Sequence, residues 1–204
     1  AELGGVRQAV VLTREGAVGV GVADGAVKWT YAFRSRERYS ANAASPVVVG
    51  DTVLLSAAYQ TGSALLRIDA KGATEVWRNM ALGAHWSTPI AHEGHVYGFD
   101  GRHEHEATLR CVRWSDGKVL WQKDGYERGS MLRADGRWIL LSEDGRLVLA
   151  DLSPEGAKEI SSVRAFPGPH CWAAPVLSRG LLYLAQFDHG RQKARLSCLD
   201  LRGK

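Results

Sequence analysis

The chain repeats itself every 43 residues, and that period constrains its fold more than any other feature. The segments SPVVVGDTVLLS (45–56), TPIAHEGHVYGF (88–99) and APVLSRGLLYLA (174–185) each hold a proline followed seven positions later by an apolar residue. The pairs are Pro46 and Val53, Pro89 and Val96, and Pro175 and Leu182. The prolines lie 43 and 86 residues apart, one period and two. The skipped position is Leu132, with Ile139 seven residues on, and one period before Val53 stands Val10. The unit therefore recurs about five times within 204 residues.

Each unit has the texture of short strands. Runs such as TVLLSA, HVYGF, WILLS and LLYLA are bounded by Gly, Asp and Ser. A third run follows (ALLRIDA, ATLRCVR, RLVLADL, ARLSCLD), and a fourth carries a tryptophan in three units, at Trp29, Trp77 and Trp121. No stretch holds a helical period. Four short antiparallel strands in a repeat of about 40–50 residues predict an all-β fold, a β-propeller of about five four-stranded blades. The blades fall near 1–33, 43–80, 86–124, 129–166 and 171–204, in a single domain. Trp29, Trp77 and Trp121 read as structural docking residues between blades. The first blade opens on AELGGVRQ, read as a turn into a second strand, so its innermost strand is expected to be missing. The last stops at CLDLRGK, before any tryptophan-bearing strand. On this reading the chain is the C-terminal part of a longer propeller, and its incomplete terminal blades leave edges open to self-association.

Bulk properties exclude several classes of function. A chain with 45% hydrophobic and 24% charged residues is an ordinary globular one. No apolar run approaches the roughly 20 residues of a transmembrane segment, and no leader peptide is readable. The net charge of +4 is spread along the chain, whereas a nucleic-acid partner would call for Lys and Arg on one face. Cys111, Cys171 and Cys198 form no CxxC and no complete disulfide framework.

The Asp–Gly–xxx–Trp strand ending, with Gly25…Trp29 and Gly117…Trp121 at one spacing and Gly72…Trp77 one residue longer, resembles the tryptophan-docking motif of the PQQ-like β-propeller repeat family. The resemblance covers essentially the whole chain, although the fourth blade has Ser161 near the expected tryptophan position. That family, with quinoprotein dehydrogenases and non-catalytic scaffold and assembly proteins in it, implies fold rather than function. It also implies a periplasmic or secreted location in a bacterium. Its enzymes hold a quinone under a disulfide between adjacent cysteines, beside a calcium or lanthanide ion and an Asp base. This chain has no Cys-Cys pair and no DxDxDG loop. Nor does it contain GxSxG, GxGxxG or HExxH. No catalytic residue and no cofactor is therefore expected, and PQQ enters only on the alternative reading of a quinoprotein oxidoreductase fragment.

In a propeller, the loop that opens each blade and the loop between its second and third strands share one face. This topology gathers His85 and His170 from opening loops with His103, His105 and His189 from second-to-third-strand loops. From second-strand anchor to third-strand start the chain takes 8 residues in blades one and four, but 12, 13 and 14 in blades two, three and five. Long loops on a rigid scaffold tend to carry function. The candidate contact residues are His85, Trp86, Arg102, His103, Glu104, His105, His170 and Trp172. Trp86 and Trp172, each three residues before a repeat proline, read as plugs near the axis or as a stacking surface. In the RHEHE run, His103 and His105 would share one side of an extended segment as a metal candidate, but a zinc site asks for three or four ligands. The expected function is a non-catalytic binding or scaffold module for a protein or small ligand on this face. A metal- or glycan-binding propeller is the further alternative.

Overall fold

Short apolar runs cut by turns produce a series of antiparallel sheets in the computed structural model of the chain, which describes residues 1–103, 106–188, 190 and 192–202. The first sheet holds β1 (Glu2–Leu3), β2 (Val6–Leu12), β3 (Gly16–Gly21) and β4 (Val27–Ala32). The second holds β5 (Val47–Val49), β6 (Thr52–Ala57), β7 (Gly62–Asp69) and β8 (Gly72–Asn79). The third holds β9 (Ile90–His92), β10 (His95–Asp100), β11 (Thr108–Arg113) and β12 (Val119–Lys123). The fourth comprises β13 (Gly129–Ala134), β14 (Arg137–Ser142), β15 (Arg146–Ser153) and β16 (Gly156–Arg164). The fifth has three strands, β17 (Val176–Ser178), β18 (Leu181–Asp188) and β19 (Lys193–Asp200). Every strand pairs with its neighbours in sequence, the meander of a propeller blade.

Proline sets the length of the innermost strands. Pro46, Pro89 and Pro175 stand directly before β5, β9 and β17, and each of these strands is three residues long. Proline has no N–H to give to a ladder, so pairing starts just after it. In the fourth sheet Met131 takes this place opposite Leu140, and β13 runs on for six residues.

Two sequence expectations are corrected. The first sheet does have an innermost strand: β1 pairs Leu3 with Val6 and Glu2 with Arg7. The turn between them is Gly4–Gly5, both with positive φ (56° and 76°), the conformation that two-residue hairpins require. Two residues are too few to show a period, but Leu3 is fully buried against the second sheet. The second correction is a slip of one residue in the repeat. Val53, Val96 and Leu182 pack towards the preceding sheet. Val10 and Ile139 pack towards the following one, and in the fourth sheet it is Trp138 that faces back, onto Tyr97. Because side chains alternate along a strand, one residue of slip reverses the face.

The core is divided among the junctions. Separate clusters join sheets one and two, two and three, three and four, and four and five. Outer strands supply tryptophans to the first three. Trp77 donates from Nε1 to the carbonyl of Trp114 at 2.8 Å, and Trp121 to that of Ser153 at 2.7 Å, each acceptor lying on the next sheet. Gly117 (φ 70°) lies so close under Trp77 that a Cβ there would come within 2.8 Å of the ring. Trp29 is buried in its junction but donates within its own sheet, to Gln8 Oε1 at 2.9 Å. Trp121→Ala should remove both packing and a junction hydrogen bond, lowering stability by about 3 kcal/mol in urea unfolding. A loss below about 1 kcal/mol would contradict the role given to this side chain.

Candidate functional site

A loop that opens a propeller blade crosses from one sheet to the next with backbone groups that need partners. In sheets two to five these partners come from a polar residue where the second strand ends: Ser56, Asp100, Glu143 and Gln186, spaced by 44, 43 and 43 residues. Ser56 Oγ donates to Leu82 O at 2.7 Å and accepts from Ala84 N at 2.9 Å. Asp100 accepts from Gly83 N and pairs with Arg110 at 2.9 Å. Gln186 Nε2 donates to Gly168 O at 2.8 Å and Pro169 O at 3.1 Å.

Glu143 makes the most extensive of these clasps. It is only 1% exposed, and Arg128 grips it with two parallel charge-assisted bonds, Nε to Oε2 at 2.6 Å and Nη2 to Oε1 at 2.7 Å. Trp172 Nε1 also donates to its carboxylate. Its backbone N–H donates to Arg128 O at 2.7 Å, and its carbonyl accepts from Cys171 N at 3.1 Å. One residue thus fastens the opening loops of the fourth and fifth sheets to each other.

From Arg128 the network runs back across the third and second sheets. Its Nη1 donates to Arg102 O at 2.7 Å and lies 3.5 Å from His85 Nδ1. The other ring nitrogen of His85 meets Tyr59 Oη at 3.0 Å. Arg102 stacks over the Tyr59 ring, 4.4 Å from its centroid, and pairs with Glu37 at 3.3 Å. Burial, followed by the nearby charges of Arg128 and Arg102, holds the His85 imidazole below its ordinary pKa of 6.5. The site therefore presents a neutral imidazole between two guanidinium groups.

The structure brings some of the expected residues together and separates others. His85, Arg102 and His103 gather beside Tyr59, where Arg102, His103, Tyr59, Asp100 and Glu37 line a cavity of about 350 Å³. Trp86 and Trp172 line a second cavity, of about 290 Å³, at the start of the innermost strands of sheets three to five. Trp172 is 45% exposed, so it does not plug a core. His170 packs edge-on against Trp172 with ring centroids 5.2 Å apart. Glu104 and His105 lie outside the described residues, and with them half of the His103 and His105 metal pair. Among the described residues no group of three or more His, Cys, Asp or Glu side chains could hold a metal ion.

Tyr59, Arg128 and Glu143 carry the network; Tyr59 falls in the long loop of blade two, whereas Arg128 and Glu143 were not among the candidates. Loop length pointed away from Glu143, because the β14–β15 turn is one of the short ones. Length also misled at the fifth sheet, where the 14-residue span from Leu182 to Leu196 is mostly strand, in β18 and β19. The 43-residue period, followed at the ends of the second strands, links Asp100, Glu143 and Gln186, and Ser56 stands one residue off it.

Because folding lowers the His85 pKa, the unfolded chain binds the extra proton. Stability from this group is complete above about pH 6.5 and is lost as pH falls below that value, towards the folded-state pKa. His85→Gln should flatten the loss of stability between pH 7.5 and 5.5 measured by urea unfolding. Equal slopes in the two proteins would contradict the neutral assignment.

A search of the curated proteins returned no match. Among solved structures, BamB from Moraxella catarrhalis superposes with a TM-score of 0.65 at 16% identity, over 97% of this chain and 58% of that one. The quinohemoprotein alcohol dehydrogenase from Comamonas testosteroni gives 0.62 at 14% identity, over 88% and 42%. The computationally designed Ika8 protein gives 0.65 at 12% identity, over 95% and 55%. Identities this low show a shared fold alone, and the chain spans about half the length of the structures it matches. A family model matches residues 2–123, more than half of the chain. The chain thus belongs to the PQQ-like β-propeller family described as outer membrane protein assembly factor BamB.

Proposed function

We propose that the chain is a non-catalytic binding module that meets a protein partner on the face carrying Arg102, His103, His85 and Trp172. The network around Arg128 and Glu143 carries this reading. It spends the buried charges of this face on fixing loops, and it leaves Arg102, with a side chain 42% exposed, and half-exposed Trp172 at the surface in set positions. Arg and Trp held in place in this way are the side chains that dominate protein interfaces. The family description, an assembly factor for outer membrane proteins, supports a protein partner and a place in the bacterial envelope. No helix among the described residues is long and apolar enough to cross a membrane.

A photo-reactive residue in place of Trp172 or Arg102 should crosslink to a discrete protein in an envelope extract. The same residue in place of Glu93, in the β9–β10 turn on the opposite face, should not. Crosslinking only from the Glu93 position, or equally from both faces, would overturn the reading. The quinoprotein alternative rests on likeness of fold and makes a separate prediction. PQQ added with calcium should leave the melting temperature and absorption spectrum unchanged, whereas a saturable shift would favour the oxidoreductase.

A further inference from the structure

The four outer strand pairs share one irregularity. In each, the pairing slips at a bulge, and the residue just before the slip faces Gly19, Leu65, Cys111 or Leu149. The partners at this register are Trp29, Trp77, Trp121 and Ser161. Ser161 thus occupies the position from which the other three sheets send an indole into the junction that follows.

Where that indole would lie, between the fourth and fifth sheets, there is an open cavity of about 410 Å³. Its walls include Leu147, Leu149, Val163, Leu182, Leu199 and Leu201. Side-chain oxygen comes only from Ser161 and Ser162, and the Ser162 hydroxyl already accepts from Arg146 at 3.3 Å. Val163 is 58% exposed and Leu201 51%, so the upper walls face water. Ile139 and Leu182 join this lining to the buried cluster that also holds Leu141 and Leu184. Apolar walls of a slot open to water are stabilised when a small apolar molecule takes the place of that water, roughly in proportion to the apolar area covered.

We propose that this slot binds a small, neutral, planar aromatic molecule of the indole class. The other junctions identify the occupant, because the slot continues the same inter-sheet interface at the same register and they fill it with an indole. The lining offers no counter-charge, so an ionised aromatic would be left unpaired and is disfavoured. The volume lies within the roughly 300–1,000 Å³ of small-molecule sites. This assignment is independent of the partner face, since none of the residues lining the slot belongs to the network of that face.

The probe is indole itself, titrated into the full chain and followed by scanning calorimetry and by methyl NMR. Indole should raise the melting temperature progressively with concentration. It should also shift the methyl signals of Val163, Leu199 and Leu201 ahead of those in other junctions. Ser161→Trp should fill the slot and abolish both responses, and Ser161→Phe makes the same comparison if the tryptophan variant does not fold. The proposal is overturned if indole leaves the wild-type melting temperature unchanged up to its solubility. It is overturned equally by methyl shifts scattered over all junctions, or by a filled variant that responds like the wild type.

Discussion

The loop-rich face depends on the polar clasps at the ends of the second strands of sheets two to five, and above all on Glu143 with Arg128. Sheets in such an array are glued side by side by apolar clusters, which say little about how the connecting loops lie. The loops are fixed instead by hydrogen bonds to buried groups at one repeated position. A buried carboxylate is unfavourable unless it is fully paired, and Glu143 is paired with a guanidinium, an indole N–H and two backbone partners. That full set of partners lets Arg128 reach onward to Arg102 and His85 and brings the third, fourth and fifth sheets into register at their loop ends.

The architecture was largely legible in the sequence, for identifiable reasons. The spacing of Pro46, Pro89 and Pro175 marks the start of three innermost strands because proline cannot take part in the ladder. The tryptophans mark three outer strands because their indoles need a junction to fill. Where the marks are missing, the reading slipped. The fourth sheet has Met131 where the second, third and fifth have proline, its innermost strand starts one residue early in the period, and Ile139 was matched to anchors that point to the opposite face. At the start of the chain the two residues of β1 were too few to betray a strand.

The site was legible only in part. Topology correctly brought His85, Arg102 and His103 to one neighbourhood, because the opening loops and the second-to-third-strand turns do meet across sheets. Histidine richness and loop length drew attention to the members of that neighbourhood that the surface presents, not to those that hold it in place. The residues that organise it, Arg128 and Glu143, sit in short, ordinary-looking segments, and only their burial and geometry reveal them. Ser161 is the converse case. Its departure from the repeat was visible in the sequence, but only the register of β15 and β16 connects that departure with an apolar slot.

The account stands on the claim that Glu143 and Arg128 act as one unit that fixes the loop face. A double-mutant cycle with Arg128→Ala, Glu143→Ala and the double variant, followed by urea unfolding, tests it most directly. Each single variant leaves a buried group without its partner and should lose about 3–5 kcal/mol. The double variant should lose less than the sum by more than about 1.5 kcal/mol, within the range of directly interacting residues. Single losses that simply add would show that the two side chains are neighbours without being coupled, and would remove the basis for a preordered face.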